Sequence, residues 1–130
     1  DAVFGSRYLR GIRVFNWSFK RLLLSKSSNE FIKLMLGINS TDTTTAYKCF
    51  RREALLSIDL QNMKGRQNAF FIELVFKTIR AGFKTTEIPF LFVEREEGES
   101  KMRFSVAFES LSIVFKLFFS RLLPQKNLRR

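Results

Sequence analysis

The chain has 130 residues, 45% of them hydrophobic and 15% aromatic; that is too apolar for a disordered tail, which cannot bury enough surface to offset its chain entropy, and long enough for one core. Twenty-three lysines and arginines against 12 acidic residues leave a net charge of +11, which favours polyanionic partners such as nucleic acid, anionic lipid heads or phosphorylated substrates. With no histidine and one cysteine, the chain excludes an internal disulfide framework, the usual zinc sites and imidazole acid–base chemistry, so any catalysis falls to carboxylates, cations and an ion supplied from elsewhere.

Ala2, Val3 and Phe4 open a short apolar run that ends in Gly5, Ser6 and Arg7. This is the pattern of a buried strand delivering polar residues at its C-terminal edge, where open α/β sheets keep their chemistry. Because Asp1 precedes that run directly, the chain reads as a cut piece. No signal peptide and no stretch of about 18 uncharged apolar residues is present, so a cytosolic or membrane-surface location is expected. A helix is predicted over residues 17–36, with Leu22, Leu23, Phe31, Leu34 and Met35 apolar and Gly37 as its stop. Arg21 and Ser25 lie four apart, hence on one face.

After a polar link over residues 39–45, residues 46–50 alternate like a strand and lead to a short helix over 52–58. A second substantial helix is predicted over 69–80, ending at Ala81 and Gly82, followed by a strand over 84–93 with Pro89 near an edge or bulge. Residues 94–101 are predicted to form an exposed charged loop around Gly98. In the last helix, over about 103–123, Phe104, Phe108, Leu111, Phe115, Phe118 and Leu122 recur at steps of four and three and make one apolar seam. A thin polar stripe of Ser105, Glu109, Ser112, Lys116 and Ser120 lies opposite. The helix either packs on the rest of the domain or lies at a lipid interface, which the cationic end at Lys126, Arg129 and Arg130 favours.

Four stretches, in this order, carry a resemblance: Gly5-Ser6-Arg7-Tyr8, Asp42-Thr43-Thr44-Thr45-Ala46-Tyr47-Lys48, Ala69-Phe70-Phe71-Ile72-Glu73-Leu74 and Arg95-Glu96-Glu97-Gly98-Glu99-Ser100-Lys101. Together they resemble the family 2 glycosyltransferases of the dolichol- or polyprenol-phosphate mannose synthase type. The resemblance implies an α/β fold, the C-terminal half of a GT-A, Rossmann-like glycosyltransferase domain with a terminal amphipathic helix. Residues 1–102 would form the acceptor side of that domain, 103–123 a membrane-interfacial helix and 124–130 a basic tail. The family's metal-binding Asp-x-Asp is expected shortly before Asp1, and no such pair can be assembled from Asp1, Asp42 and Asp59. A divalent cation, Mg or Mn, is therefore expected in the intact enzyme with its ligands mostly outside this chain, and no metal ligand is assigned within it.

The resemblance also implies roles for single residues. Arg7 would approach the substrate phosphates, to which a guanidinium offers a planar fork of donors and a permanent charge. Arg21 and Ser25 match positions that hold the acceptor phosphate, the alternative being a solvated helix face. Asp42 would orient the sugar or the acceptor, unless it forms an Asx turn or cap. Glu73 lies among apolar neighbours, where an unpaired carboxylate is costly; it either faces the sugar site or pairs with Lys77, four residues on. Arg95, Ser100 and Lys101, around a glycine that permits close backbone approach, would close over the diphosphate, unless they belong to an ordinary charged loop.

The implied function of the intact protein is inverting transfer of a hexose from a nucleotide-sugar to a polyprenyl phosphate, at the cytoplasmic face of a membrane as a peripheral protein. The nucleophile is already anionic, so the difficulty lies in holding two phosphorylated substrates together and stabilising the departing diphosphate. Without the nucleotide half, the piece is expected to be inactive and, with an open sheet edge and exposed apolar surface, to self-associate. Two rival readings are a noncatalytic membrane-surface piece that binds lipid phosphate and a basic nucleic-acid-binding module. The aromatic residues fall mostly at helical core spacing and no RNA- or DNA-binding motif is present, so no nucleic-acid partner is expected.

Overall fold

The computed structural model describes residues 1–94 and 104–123. The expected loop residues Arg95, Ser100 and Lys101, and the basic tail over 124–130, lie outside these described residues. The chain runs β1 (Ala2–Ser6), β2 (Val14–Phe15), α1 (Phe19–Leu36), β3 (Lys48–Phe50), α2 (Arg52–Ser57), α3 (Gln67–Arg80), β4 (Thr85–Pro89), β5 (Phe92–Val93) and α4 (Phe104–Arg121). The architecture is mixed α/β, as the sequence predicts.

The apolar run at the start becomes the central strand of a three-stranded sheet of order β3-β1-β4. β1 pairs antiparallel with β3, Val3 opposite Cys49, and parallel with β4, Phe4 opposite Glu87. Gly5 is dictated by proximity: a Cβ there would lie 2.3 Å from the Tyr47 ring, while the Gly5 N–H donates to the Tyr47 carbonyl at 2.7 Å. A side chain at this position would force apart the two segments that build the site described below.

Helix α1 begins where Ser18 caps it, its hydroxyl accepting from the Arg21 N–H, and ends at Gly37 in the left-handed region (φ 62°), whose N–H returns to the Lys33 carbonyl. Its buried face is Asn29, Ile32 and Leu36, whereas Leu23 and Leu34, which the sequence marks as apolar helix positions, are exposed. The core joins Ile32 and Leu36 to Ala2 and Phe4 of β1, Ala69, Ile72, Val75 and Phe76 of α3, and Ile113, Val114 and Leu117 of α4. Each large aliphatic side chain so buried contributes about 1.5–3 kcal/mol.

Two expectations change. The predicted strand over 84–93 is two strands in two different sheets: β4 stops at Pro89, which has no N–H to donate, and β5 pairs in parallel with β2, Val14 opposite Phe92. The last helix packs on α3 and α1 through Ile113, Val114 and Leu117, and Arg80 ties its end down by donating to the Ser120 and Leu123 carbonyls at 2.6 and 2.8 Å. That fulfils the packing alternative for one flank only. On the other flank Phe108, 75% exposed, Phe115, Phe119 and Leu122 face outward. Among the described residues no helix is long and apolar enough to cross a membrane.

Candidate functional site

The sheet delivers Arg7 immediately after the C-terminal end of β1, and the segment between α1 and β3 comes to meet it. That segment reads as a polar link, yet Ser40, Asp42, Thr43 and Thr45 are buried, so its polar groups need partners inside. They have them on two sides. Glu87 of β4 accepts from the Ser40 hydroxyl (2.7 Å), the Thr41 N–H (2.8 Å) and the Thr41 hydroxyl (2.7 Å). Asn29 of α1 accepts from the Thr43 N–H and hydroxyl at 2.8 and 2.9 Å, and its own amide donates to the Ser25 carbonyl at 3.0 Å. Held between them, Asp42 is aimed at Arg7.

Arg7 donates to Asp42 from its backbone N–H (3.1 Å), from Nε (2.6 Å) and from Nη2 (2.8 Å), and Nη2 also reaches the Thr44 hydroxyl at 2.9 Å. The side chains are 9% and 0% exposed. Burial pulls the guanidinium pKa down, but the hydrogen bond and charge of Asp42 more than offset this and hold it above its usual value. Asp42 is therefore neither an Asx turn nor a helix cap; its carboxylate orients Arg7. Among the described residues the Nη1 group of Arg7 has no hydrogen-bond partner, which leaves one edge of the fork for a ligand.

Around this pair stands an aromatic wall. The Arg7 guanidinium lies 5.1 Å from the Trp17 ring centroid and 5.4 Å from that of Tyr8, and Trp17 meets Phe92 edge-on. Arg21 covers the same indole at 4.2 Å and is ion-paired with Glu94, which follows β5. Ser25, one turn on from Arg21, shares a 2.6 Å hydrogen bond with the Tyr8 hydroxyl. Burial pushes that hydroxyl above the usual tyrosine range, against the pull of Ser25 and the two arginines. Arg7, Arg21, Ser25 and Asp42 thus converge, two cations sharing one ring with two hydroxyls nearby.

Glu73 lies apart from this network. Its carboxylate accepts from the Lys64 and Gly65 N–H groups, each at 2.9 Å, and from Lys77 at 2.9 Å. The pairing alternative is what the structure contains, and the same carboxylate ties down the segment before α3. Burial pushes the Glu73 carboxyl up, but Lys77 and the two backbone donors outweigh it and hold the group below the usual glutamate range.

Sequence reasoning did not single out Trp17, Asn29, Glu87 or Glu94. Asn29 was within reach, because it continues the Arg21 and Ser25 face by one turn; Glu94 and Glu87 meet their partners 73 and 46–47 residues away, and no local pattern marks them. Lys48, the basic residue of the Asp42 to Lys48 stretch, is also notable. Its Nζ lies 5.1 Å from the Phe4 ring and is buried without a hydrogen-bond acceptor among the described residues. Burial lowers its pKa to about 8, against the pull of Asp42 and Glu87.

An apolar groove of about 420 Å³ leads to the cluster. Its walls are Leu24, Phe31 and Ile32 of α1, Ile72 of α3, and Leu111 and Val114 of α4, and Ser25 and Thr44 belong to the same lining. Greasy walls therefore run up to the hydroxyl that bonds Arg7. No group of three histidine, cysteine or carboxylate side chains among the described residues could hold a metal ion. Asp1 is engaged by Arg51 and the Lys84 N–H, Asp42 by Arg7 and Asp59 by Asn62. A divalent ion does not fit these residues, and the groups this site offers a ligand are guanidinium and hydroxyl donors.

Two relatives share most of this chain. It is 42% identical over 102 residues to a polyprenol monophosphomannose synthase of Mycolicibacterium smegmatis, covering 78% of this chain and 38% of that protein. It is 37% identical over 111 residues to an undecaprenyl-phosphate mannosyltransferase of Micrococcus luteus, covering 85% of this chain and 46% of that protein. The chain thus spans less than half the length of these curated relatives. No family model matches it, and no solved structure does.

Proposed function

Since this chain belongs to the family 2 glycosyltransferases of the polyprenol-phosphate mannose synthase type, we propose that it forms the acceptor side of an enzyme moving a hexose, mannose by analogy with the relatives, from a nucleotide-sugar to a polyprenyl phosphate. The carrying observation is the groove that joins an apolar channel to Ser25 and Thr44 beside Arg7. An amphiphile with a phosphate head and an isoprenoid chain has that distribution of chemistry.

The acceptor phosphate sits against the free edge of Arg7, with Arg21 and the Ser25 hydroxyl beside it and the chain lying between α1 and α4. A phosphate oxygen attacks the anomeric carbon as the bond to the nucleoside diphosphate breaks, inverting the configuration. The oxygen arrives deprotonated, so this chain needs to orient it rather than take its proton. Asp42 acts through Arg7, fixing the fork in the buried wall so that its donors need no reorganisation when charge shifts. Transfer is proposed for the whole protein. For these 130 residues the proposal is binding of the acceptor's head and chain.

Filling the groove tests this. Ala107 lines it from an exposed position on α4, so Ala107→Trp should leave the core intact. In a polypeptide spanning the relatives' length, transfer of radiolabelled mannose to polyprenyl phosphate is expected to show KM for the acceptor raised about tenfold or more, the scale of one lost apolar subsite, with kcat little changed. An unchanged KM would remove the groove from the acceptor's path.

The outward flank of α4, with Phe19, Leu23 and Leu34 of α1 also exposed, is proposed to rest on the membrane as a peripheral contact at its cytoplasmic face, where the chain's positive charge meets anionic lipid heads. Cosedimentation with anionic vesicles is expected for the unmodified chain and is expected to fall several-fold in Phe115→Glu/Phe119→Glu, because each replacement sets a carboxylate against lipid. Equal binding by both proteins counts against this face.

A further inference from the structure

Arg7 and Arg21 lie over one indole, 5.1 and 4.2 Å from its centroid, yet their counter-ions are held very differently. Asp42 is fully buried and takes three hydrogen bonds from Arg7. Glu94 meets Arg21 through one guanidinium nitrogen, with the two side chains 23% and 27% exposed. Withdrawing Asp42 would strand a buried charge. Parting Glu94 from Arg21 leaves both groups where water reaches them, and such pairs contribute little net stability. One carboxylate is fixed and the other is exchangeable.

The exchangeable one engages the Arg21 guanidinium through Nη1, a donor that an anion could also take. Building on the acceptor-site reading, we propose that Glu94 is a displaceable counter-ion: the acceptor phosphate takes over the Arg21 guanidinium and the Glu94 carboxylate turns to solvent. A phosphate monoester can make this exchange because it carries up to two negative charges and three strong acceptor oxygens against the single charge of a carboxylate. An uncharged polyprenol has nothing to offer the guanidinium and leaves the ion pair closed. Glu94 thereby keeps the site charge-compensated until the phosphate binds, and it lowers affinity for the phosphorylated lipid while doing so.

A purely structural tie between α1 and the end of β5 predicts the opposite sign. If Glu94 only held Arg21 in place, neutralising it would weaken phosphate binding; as a competitor, its neutralisation strengthens binding. Trp17 is the single tryptophan of the chain, and its ring lies under the Arg21 guanidinium, so its emission reports the exchange directly. The experiment titrates the full chain in neutral detergent micelles with farnesyl phosphate, with farnesol and inorganic phosphate as controls for chain and head alone.

Farnesyl phosphate is expected to change the Trp17 emission saturably and farnesol is not. Glu94→Gln is expected to tighten farnesyl phosphate binding about two- to fivefold, the range of a partly exposed ion pair, and to widen the margin over farnesol by the same factor. In an Arg21→Ala background the same replacement is expected to give no gain, which a double-mutant cycle resolves. Equal or weaker binding by Glu94→Gln overturns the inference while leaving the acceptor site standing, and a gain that persists without Arg21 does the same. Absence of saturable farnesyl phosphate binding to the unmodified chain overturns the acceptor-site reading and this inference with it.

Discussion

Asp42→Asn is expected to lower stability by about 3–5 kcal/mol, the cost of removing one member of a buried ion pair, and so to lower Tm by on the order of 10–20 °C. Asp42 takes the backbone N–H, Nε and Nη2 of Arg7 while itself fully buried. An asparagine presents its NH2 group to donors that need an acceptor, and leaves a guanidinium that cannot shed its charge. Arg7→Met alone strands the Asp42 carboxylate in the same way. The double replacement Arg7→Met/Asp42→Leu removes both charges and is expected to recover much of the loss, because apolar substitutes for a buried pair are often neutral or better. Thermal melts of the four proteins decide this. A variant Asp42→Asn melting with the unmodified protein, or a double mutant as unstable as the sum of the singles, defeats the account. The double mutant also separates folding from binding, since it should be folded and unable to hold the phosphate proposed to bind at Arg7.

The elements that could be read in advance are those whose signal is local. Gly37 stops α1 in the left-handed conformation, and Ala2 and Phe4 enter the core from a strand that begins the chain. What misled is equally physical. Residues 84–93 are mostly strand formers, and Pro89 alone reads as an edge or bulge within one strand; the break exists because β4 stops there and β2, two residues long and 78 residues before β5, supplies β5 with a separate partner. Helix α1 has leucines on several faces, so which of them is buried is decided by α3 and α4 rather than by periodicity. Exposed Leu23 and Leu34 follow from that, and Asn29 is buried because it takes the Thr43 N–H and hydroxyl.

The site divides along the same line. Arg7 and Asp42 could be named because they stand in two of the patterned stretches, whereas Arg21 and Ser25 could be named only through the resemblance and their spacing of four on one helix face. Their partners could not. Glu94 pairs across 73 residues, and Trp17 acts through the guanidiniums that stack on it. The chemical inventory is written locally, whereas its state of charge compensation is a tertiary property. That is why the sequence offers Arg7 and Arg21 as candidate phosphate ligands without revealing that both already have carboxylate partners.

Glu73 tests whether a matched motif implies a chemical role or a structural one. Its carboxylate, 5% exposed, satisfies the N–H groups of Lys64 and Gly65 and the Lys77 ammonium. Glu73→Ala leaves three donors without their acceptor and is expected to cost about 2–4 kcal/mol, one to three for each orphaned group less what water recovers. The pH dependence has a definite sign. The folded-state pKa lies below the usual glutamate value, so this stabilisation is complete above that value and is lost as pH falls through the lower, folded one. The gap in Tm between the unmodified protein and Glu73→Gln should therefore be wide near neutrality and close in acid below about pH 4, near the ordinary glutamate pKa. Assayed well below either melting point, Glu73→Gln should keep turnover to within about tenfold, whereas loss of a general acid or base costs about 10²–10⁴. A loss of that larger size with an unchanged Tm would instead place Glu73 at the sugar. A lowered Tm with turnover retained makes it the clamp that fixes the entry into α3, and through Ile72 of that helix a wall of the apolar groove.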